Sequence, residues 1–180
     1  MSDLEQSLED GVLTLTMNRP KARNAMSGEM MEAMQKAIPR ASVDPAVRCL
    51  VLTGAGSAFC AGGDVKGFAS DAGSNEGSSD EGPSLETRVQ GLRQGMEISR
   101  LLHVMPKPTL AIIPGPAAGA GLSLALACDM RFCLDTAKIT TAFSKIGASG
   151  DYGGSYFLPQ LVGAAKAREL YFSAEVITGQ

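Results

Sequence analysis

Two apolar runs in this chain each lead into a glycine-rich turn, and this arrangement restricts the possible folds more than any other feature. Residues 49–53 precede the first glycine turn, Ala58-Phe59-Cys60-Ala61-Gly62-Gly63-Asp64-Val65-Lys66. Residues 109–113 precede the second glycine turn, Gly115-Pro116-Ala117-Ala118-Gly119-Ala120-Gly121. A buried strand that ends in glycines brings bare backbone N–H groups to the edge of a sheet, where a ligand can approach closely. We therefore predict that the two turns lie together and hold one developing oxyanion between them.

Strand and helix patterns alternate along the rest of the chain. Residues 12–17 alternate between two faces, as a half-buried strand does, and Ser27 is a suitable N-cap for the helical pattern that follows it. Apolar residues at helical spacing predict a further helix over 85–102, packed along the sheet, and a small apolar segment predicts a buried helix over 121–128. Short strands are predicted at 130–134 and 139–141, and a last helix at 164–172. This alternation indicates a layered α/β fold, which we expect to be one domain over residues 1–180.

Composition removes several classes of function. The chain has 180 residues, 44% of them hydrophobic and 19% charged, with a formal net charge of −3. Such a chain can bury a substantial core but has no basic field for nucleic acid or an anionic membrane, so neither partner is expected. The apolar runs are shorter than a membrane span requires. The N-terminus is acidic and lacks the apolar region of a secretory signal, which predicts a cytoplasmic protein.

Cysteine and histidine usage argues against a metal site. The four cysteines form no CxxC pair, and Cys49 and Cys128 lie inside apolar segments, where we expect small buried residues. The only histidine, His103, falls at the end of a helical pattern and is expected at the surface. A zinc site or a histidine-dependent triad is therefore not predicted.

The composition changes abruptly over residues 69–84, which are mainly Ser, Asp, Glu and Gly. This segment cannot bury enough apolar area to offset the entropy of ordering it, which predicts a mobile loop. Because the loop follows the first glycine turn, it is a candidate lid over the site.

Three blocks of sequence together resemble the crotonase (enoyl-CoA hydratase/isomerase) superfamily. They are Asn18-Arg19-Pro20-Lys21-Ala22-Arg23-Asn24-Ala25, Phe59-Cys60-Ala61-Gly62-Gly63-Asp64-Val65, and the second glycine turn. The resemblance implies a spiral of ββα units that binds an acyl-CoA thioester, with coenzyme A entering as part of the substrate and no separate cofactor. It also implies a homotrimer or hexamer. Members of the superfamily continue into a helical trimerisation subdomain, and we expect that part to be missing here.

The resemblance assigns site residues by motif position. The two N–H groups of the oxyanion hole fall on Gly63 and Ala120. Removal of one such donor typically raises a barrier by about 3–4 kcal/mol. The resemblance implies that these residues contact coenzyme A: Ala22, Ala61, Gly62, Gly63, Asp64 and Val65. Asp64 is also readily interpreted as a capping or loop-ordering residue.

The acid–base positions depart from the hydratase pattern. Hydratases that use two carboxylates have glutamates at the positions that here hold Ser123 and Phe143. Hydration must activate a water and deliver a proton, which favours two positioned acid–base groups. Asp151 remains as a candidate acid–base residue. It lies in the block Asp151-Tyr152-Gly153-Gly154, which is similar to the Asp-x-Gly-Gly block of isomerases that work with one aspartate. We therefore predict an enoyl-CoA isomerase in which Asp151 moves the proton; the alternative for this residue is a turn former.

The sequence leaves other functions open. Gly54-Ala55-Gly56 and Gly119-Ala120-Gly121 hint at a dinucleotide fingerprint, but the third glycine is replaced by Phe59 and Leu124. A hydratase or another crotonase-type lyase or hydrolase would share the same oxyanion hole. A crotonase-like protein that only binds acyl-CoA is supported by Ser123 and Phe143 and opposed by Asp151.

Overall fold

The computed structural model describes residues 2–63 and 84–180. The predicted roles of Asp64 and Val65, and the predicted lid apart from its last residue, lie outside the described residues.

A five-stranded sheet forms the centre of the described fold. Its strands lie in the order β1-β2-β3-β4-β6, with β1 antiparallel to β2 and the remaining neighbours parallel. A second, two-stranded sheet pairs β5 with β7 in parallel. The strands are Leu4–Glu9 (β1), Val12–Met17 (β2), Cys49–Gly54 (β3), Thr109–Ile113 (β4), Ala117–Ala118 (β5), Met130–Cys133 (β6) and Ile139–Thr140 (β7).

Helices pack against one face of the larger sheet. They are Gly28–Val43 (α1), Leu85–His103 (α2), Ala120–Ala127 (α3), Gly154–Val162 (α4) and Ala164–Ser173 (α5), with 3₁₀ turns at Pro20–Ala22 and Phe143–Ile146. Ser27 caps α1 as predicted, because its hydroxyl accepts a hydrogen bond from the N–H of Met30. The whole of α3 is buried, as its small apolar residues predict.

The core lies between this sheet face and the helices. Leu13, Leu15 and Met17 of β2 point into it, as the predicted alternation requires. Met30 and Met34 of α1 meet them there and are fully buried. Cys128 is buried as predicted, whereas Cys49 is only partly buried because it lies on the outer face of β3. All four cysteines are free.

The structure corrects the prediction for α2. We expected its apolar stripe to pack along the sheet over the whole helix. Instead Leu85, Val89 and Leu92 are exposed, while Ile98 and Leu102 in the second half are buried. The spacing of apolar residues identifies a helix but does not say where along its length the core ends.

Three elements were absent from the sequence-based prediction, and the shortest of them, β5, consists of two residues inside the second glycine turn. Strand β1 contains Leu4 as its only buried residue, so it shows no alternation. Helix α4 contains Pro159 and begins directly after glycines, which are features of a loop. His103 lies exposed at the end of α2, as predicted, with its ring 5.0 Å from that of Phe157.

Candidate active site

The two glycine turns meet at one edge of the sheet. Strands β3 and β4 pair in parallel, so their carboxyl ends reach the same edge. There the N–H of Ala118 donates to the carbonyl of Cys60 at 2.9 Å. A Cβ on Gly121 would lie 2.5 Å from the same carbonyl oxygen, so only glycine permits this close approach. The predicted pairing of the turns is therefore present in the fold.

The N–H groups of Gly63 and Ala120 lack a hydrogen-bond partner within the described structure. Ala120 is the first residue of α3, where a backbone N–H has no partner within the helix. The carbonyl of Gly62 accepts from Met26 at 2.9 Å, which fixes the chain just before Gly63. Among the described residues, no hydrogen bond begins at either N–H. The turns are close enough that a Cβ on Gly62 would lie 3.6 Å from the nitrogen of Ala120.

The block around Ala22 packs directly against the first glycine turn. The N–H of Ala61 donates to the carbonyl of Arg23 at 3.0 Å. Asn24 is fully buried, and its amide nitrogen donates to the carbonyls of Ala55 and Ala58 at 3.0 and 2.8 Å. Sequence reasoning quoted Asn24 in a motif but gave it no role. Its backbone is left-handed, with a φ of 56°, and the tolerance of Asn for this conformation was the signal available in the sequence. Ala22 itself is exposed beside these contacts, where a ligand can reach it.

Asp151 lies in the loop of residues 147–153, which we call the Asp151 loop. Its side chain lines a cavity of about 430 Å³ between α1, α2 and the first glycine turn, and Gly63 lines the same cavity. Its Oδ1 atom is buried and has no hydrogen-bond partner among the described residues. Burial raises the pKa of this carboxyl above its ordinary value, because desolvation disfavours the charged form. A turn former would instead direct its oxygens to nearby backbone N–H groups.

The comparisons with known proteins identify the family. The family model described as enoyl-CoA hydratase/isomerase matches residues 7–180. This chain belongs to the enoyl-CoA hydratase/isomerase family. It is 38% identical over 164 residues to 1,2-epoxyphenylacetyl-CoA isomerase of Escherichia coli, an alignment covering 91% of this chain and 59% of that protein. It is 35% identical over 173 residues to 4-chlorobenzoyl coenzyme A dehalogenase-1 of Arthrobacter sp., covering 93% of this chain and 59% of the relative.

A solved structure agrees with the family assignment. The enoyl-CoA hydratase from Polaromonas sp. JS666 superposes with a TM-score of 0.86 at 33% identity, over 98% of this chain and 65% of that chain. The predicted crotonase-like α/β fold is therefore confirmed. The chain spans about three fifths of the length of the two curated relatives described above.

Neither position where hydratases of this family carry a glutamate offers an acid–base group here. Ser123 is buried, and its hydroxyl donates to the carbonyl of Gly119 at 3.3 Å. Phe143 is also buried and stacks on Tyr171, with 6.3 Å between ring centroids. Among the described residues, the other carboxylate that lines the cavity is that of Glu32, which is exposed and forms an ion pair with Lys36 at 2.5 Å. That partner lowers the pKa of Glu32, which keeps it ionised and unsuited to delivering a proton.

Membrane and metal features are absent from the part of the chain that the structure describes. No helix within residues 2–63 and 84–180 is long and apolar enough to cross a membrane. In the same ranges, no three His, Cys, Asp or Glu side chains gather where a metal ion could be held.

Proposed function

We propose that this chain forms the catalytic core of an enoyl-CoA isomerase, with Asp151 as its single proton shuttle. Two observations carry the proposal: Oδ1 of Asp151 is buried without a hydrogen-bond partner among the described residues, and Asp151 lines the cavity that Gly63 also lines. A buried acceptor without a partner is costly, so it needs either a structural or a functional reason. Accepting a proton from a substrate carbon would be a functional reason for this oxygen to remain unpartnered.

The proposed reaction begins with the thioester carbonyl between the N–H groups of Gly63 and Ala120. Asp151 takes a proton from the α-carbon of a 3-enoyl thioester, and the negative charge moves onto the carbonyl oxygen as a dienolate. The two N–H groups stabilise that charge, and one such donor is typically worth about 3–4 kcal/mol. Asp151 then returns the proton to the γ-carbon, which leaves the conjugated 2-enoyl thioester. The proton count balances without water.

The electrostatics of Asp151 suit both steps. A base whose pKa is raised by desolvation binds a proton more strongly than an exposed carboxylate does. The same carboxylic acid can give its proton to the γ-carbon once the dienolate has formed, because a dienolate carbon is more basic than a carboxylate. Placement of the adenine and pantetheine parts along Ala22 and the backbone of Ala61–Gly63 is part of the same proposal. It rests on the contact between these two segments.

The hydratase alternative has less support from this site. Addition of water to a 2-enoyl thioester favours a second acid–base group, and the positions expected to provide one hold Ser123 and Phe143. A non-catalytic acyl-CoA-binding protein would not need a desolvated carboxylate at the cavity wall. Turnover experiments separate all three functions.

The deciding experiment supplies matched 3-enoyl- and 2-enoyl-CoA substrates and follows both double-bond migration and water addition. The proposal expects migration without water addition. Asp151→Asn should lose this activity, whereas Glu32→Gln, which changes a carboxylate at the same cavity, should retain it. Water addition without migration would establish the hydratase, and binding without either reaction would establish the non-catalytic protein.

A further inference from the structure

Tyr152, next to Asp151, combines two unfavourable features that packing alone does not explain. Its backbone is left-handed, with a φ of 52°, a conformation that strains a bulky residue and that glycine adopts freely. Its side chain is also 92% buried, with 8% of its surface exposed. Strain of this kind persists where the surrounding structure holds the residue, and it concentrates at functional sites.

The hydroxyl of Tyr152 lies in a notch on α2 that exists because residue 95 has no side chain. A Cβ on Gly95 would lie 2.8 Å from the Tyr152 hydroxyl oxygen and 3.3 Å from Cε of Met31. Tyr152, Gly95 and Met31 all line the cavity that contains Asp151. The phenol therefore reaches the wall of this cavity rather than the solvent.

This hydroxyl has no strong hydrogen-bond partner among the residues that the structure describes. Its one contact is to the thioether sulfur of Met31 at 3.9 Å, and sulfur is a weak acceptor. Burial and the charges of Asp151 and Cys60 raise the pKa of Tyr152 to about 12, so the hydroxyl keeps its proton and remains a donor. Phenylalanine would pack the same ring without burying a polar group.

The rest of the cavity lining is mixed. Met26, Met31 and Leu92 are apolar, and flexible thioethers adapt to irregular ligands, whereas Glu32, Gln35 and Gln94 are polar. A straight hydrocarbon chain would pack on the apolar residues but would leave the Tyr152 hydroxyl without an acceptor. An acyl group that carries an oxygen at this point would satisfy both.

We propose that Tyr152 is a specificity-determining residue that donates a hydrogen bond to an oxygen on the acyl group, so that the preferred substrates are oxygenated acyl-CoA thioesters. The proposal rests on the proposed function only in taking the cavity to hold the acyl part of the thioester. The oxygen belongs to a keto, hydroxyl or ether group, each of which can accept a hydrogen bond. The Tyr152 hydroxyl binds the substrate and takes no part in moving the proton.

The test measures binding of saturated thioesters, which cannot undergo a double-bond shift. Hexanoyl-CoA is compared with its 4-oxo and 5-oxo derivatives by calorimetric titration. The wild-type protein should bind one of the oxo derivatives about 3–10-fold more tightly, the range that about 0.7–1.4 kcal/mol corresponds to for one neutral hydrogen bond. Tyr152→Phe should remove this preference and leave the affinity for hexanoyl-CoA unchanged.

Matched controls make the result specific. Tyr156→Phe removes a hydroxyl from an exposed tyrosine and should leave the preference intact. Gly95→Ala places a Cβ against the Tyr152 hydroxyl and should also remove the preference, whereas Gly91→Ala adds a Cβ on the same helix where nothing lies within 4 Å.

Two results would overturn the proposal. Equal binding of all the thioesters by the wild-type protein would show that no hydrogen bond selects the oxygen. An equal loss of affinity for every thioester in Tyr152→Phe would show that the tyrosine only maintains the cavity. Selective binding without isomerase turnover would sustain this inference and reject the proposed function, because the titration does not depend on the chemistry of Asp151.

Discussion

The first glycine turn and the Asp151 loop both line one cavity, but they position their functional atoms by different means. In the turn the proposed functional atom is the N–H of Gly63, and main-chain pairing fixes the chain around it, including the hydrogen bond from Met26 to Gly62. In the loop it is Oδ1 of Asp151, which is buried and accepts no hydrogen bond from a described residue. The loop is shaped by left-handed residues, Gly150, Tyr152 and Gly153.

The difference separates two requirements of the proposed reaction. Stabilising charge on a carbonyl oxygen needs donors that do not move, and main chain held between strands provides them. Moving a proton between two carbons needs a group whose proton affinity is adjusted by its surroundings, which a desolvated side chain provides. Substitutions in the first glycine turn should therefore alter the position of the N–H donors. Substitutions in the Asp151 loop should alter the proton affinity of the Asp151 carboxylate.

The largest effect is expected for Asp151→Asn. This substitution keeps the size of the side chain but removes its basicity, so the isomerase rate should fall about 10²–10⁴-fold. Binding of a saturated acyl-CoA should change little. Steady-state kinetics and a binding titration on the same preparation check both statements. A fully active Asn variant would return Asp151 to the role of a turn residue.

Next in size is the effect of Gly63→Pro, which deletes one N–H donor. We expect kcat to fall about 10²–10³-fold, with part of the affinity for coenzyme A retained. Gly63→Ala keeps the N–H and serves as the control, and thermal unfolding monitors whether each variant folds. An unchanged rate in the proline variant would mean that Gly63 is not an oxyanion donor.

Gly121→Ala tests the contact that joins the two glycine turns. Its Cβ would lie 2.5 Å from the carbonyl oxygen and 2.6 Å from the Cβ of Cys60, so the turns must separate. Overpacking of this kind costs about 1–3 kcal/mol of the free energy of unfolding, which denaturant titration measures. Gly28→Ala adds a Cβ where nothing lies within 4 Å and should cause no loss. Equal stability of both variants and the wild-type protein would contradict the close packing of the turns.

The smallest expected effect is the pH dependence of the melting temperature of Asp151→Asn relative to the wild-type protein. Because burial raises the pKa of Asp151, the folded protein keeps this proton over a pH window in which the unfolded chain has released it. The free energy of unfolding contributed by this group therefore falls as pH rises through that window. Asp151→Asn should melt higher than the wild-type protein near neutral pH, by about 2–4 °C at most. The difference should shrink at about pH 4, and a lower melting temperature for the variant at neutral pH would show that the ionised carboxylate is stabilised instead.

Sequence patterns predicted the backbone part of the site better than the side-chain part. The glycines of the two turns stand directly after apolar strands, and parallel pairing requires the ends of β3 and β4 to meet at one edge. The glycines and the aromatic residue beside Asp151 suggested a pKa raised by desolvation, which the structure supports. The cavity wall formed by Gly95 of α2 and Tyr152 was not readable, because it depends on tertiary packing. Tyr152 carried no signal of its own, since its left-handed backbone is visible only in the structure.

Local composition and periodicity explain the errors in the predicted secondary structure. Helix α4 was missed because Pro159 and the preceding glycines favour a loop locally, whereas burial of Phe157 and Leu158 stabilises a helix there. The exposed first half of α2 was assigned to the core because periodicity records which residues share a face, and Leu85 and Val89 share a face with Met96, which packs against the core.

The most direct test of the single-aspartate account follows the transferred hydrogen. A 3-enoyl-CoA labelled with deuterium at the α-carbon is converted in a single turnover, and the product is analysed by mass spectrometry and NMR. The account predicts that the wild-type protein delivers part of the label to the γ-carbon and that Asp151→Asn shifts no double bond. A γ-carbon that receives only solvent hydrogen while the Asn variant keeps the wild-type rate would contradict the assignment of Asp151 as the proton shuttle.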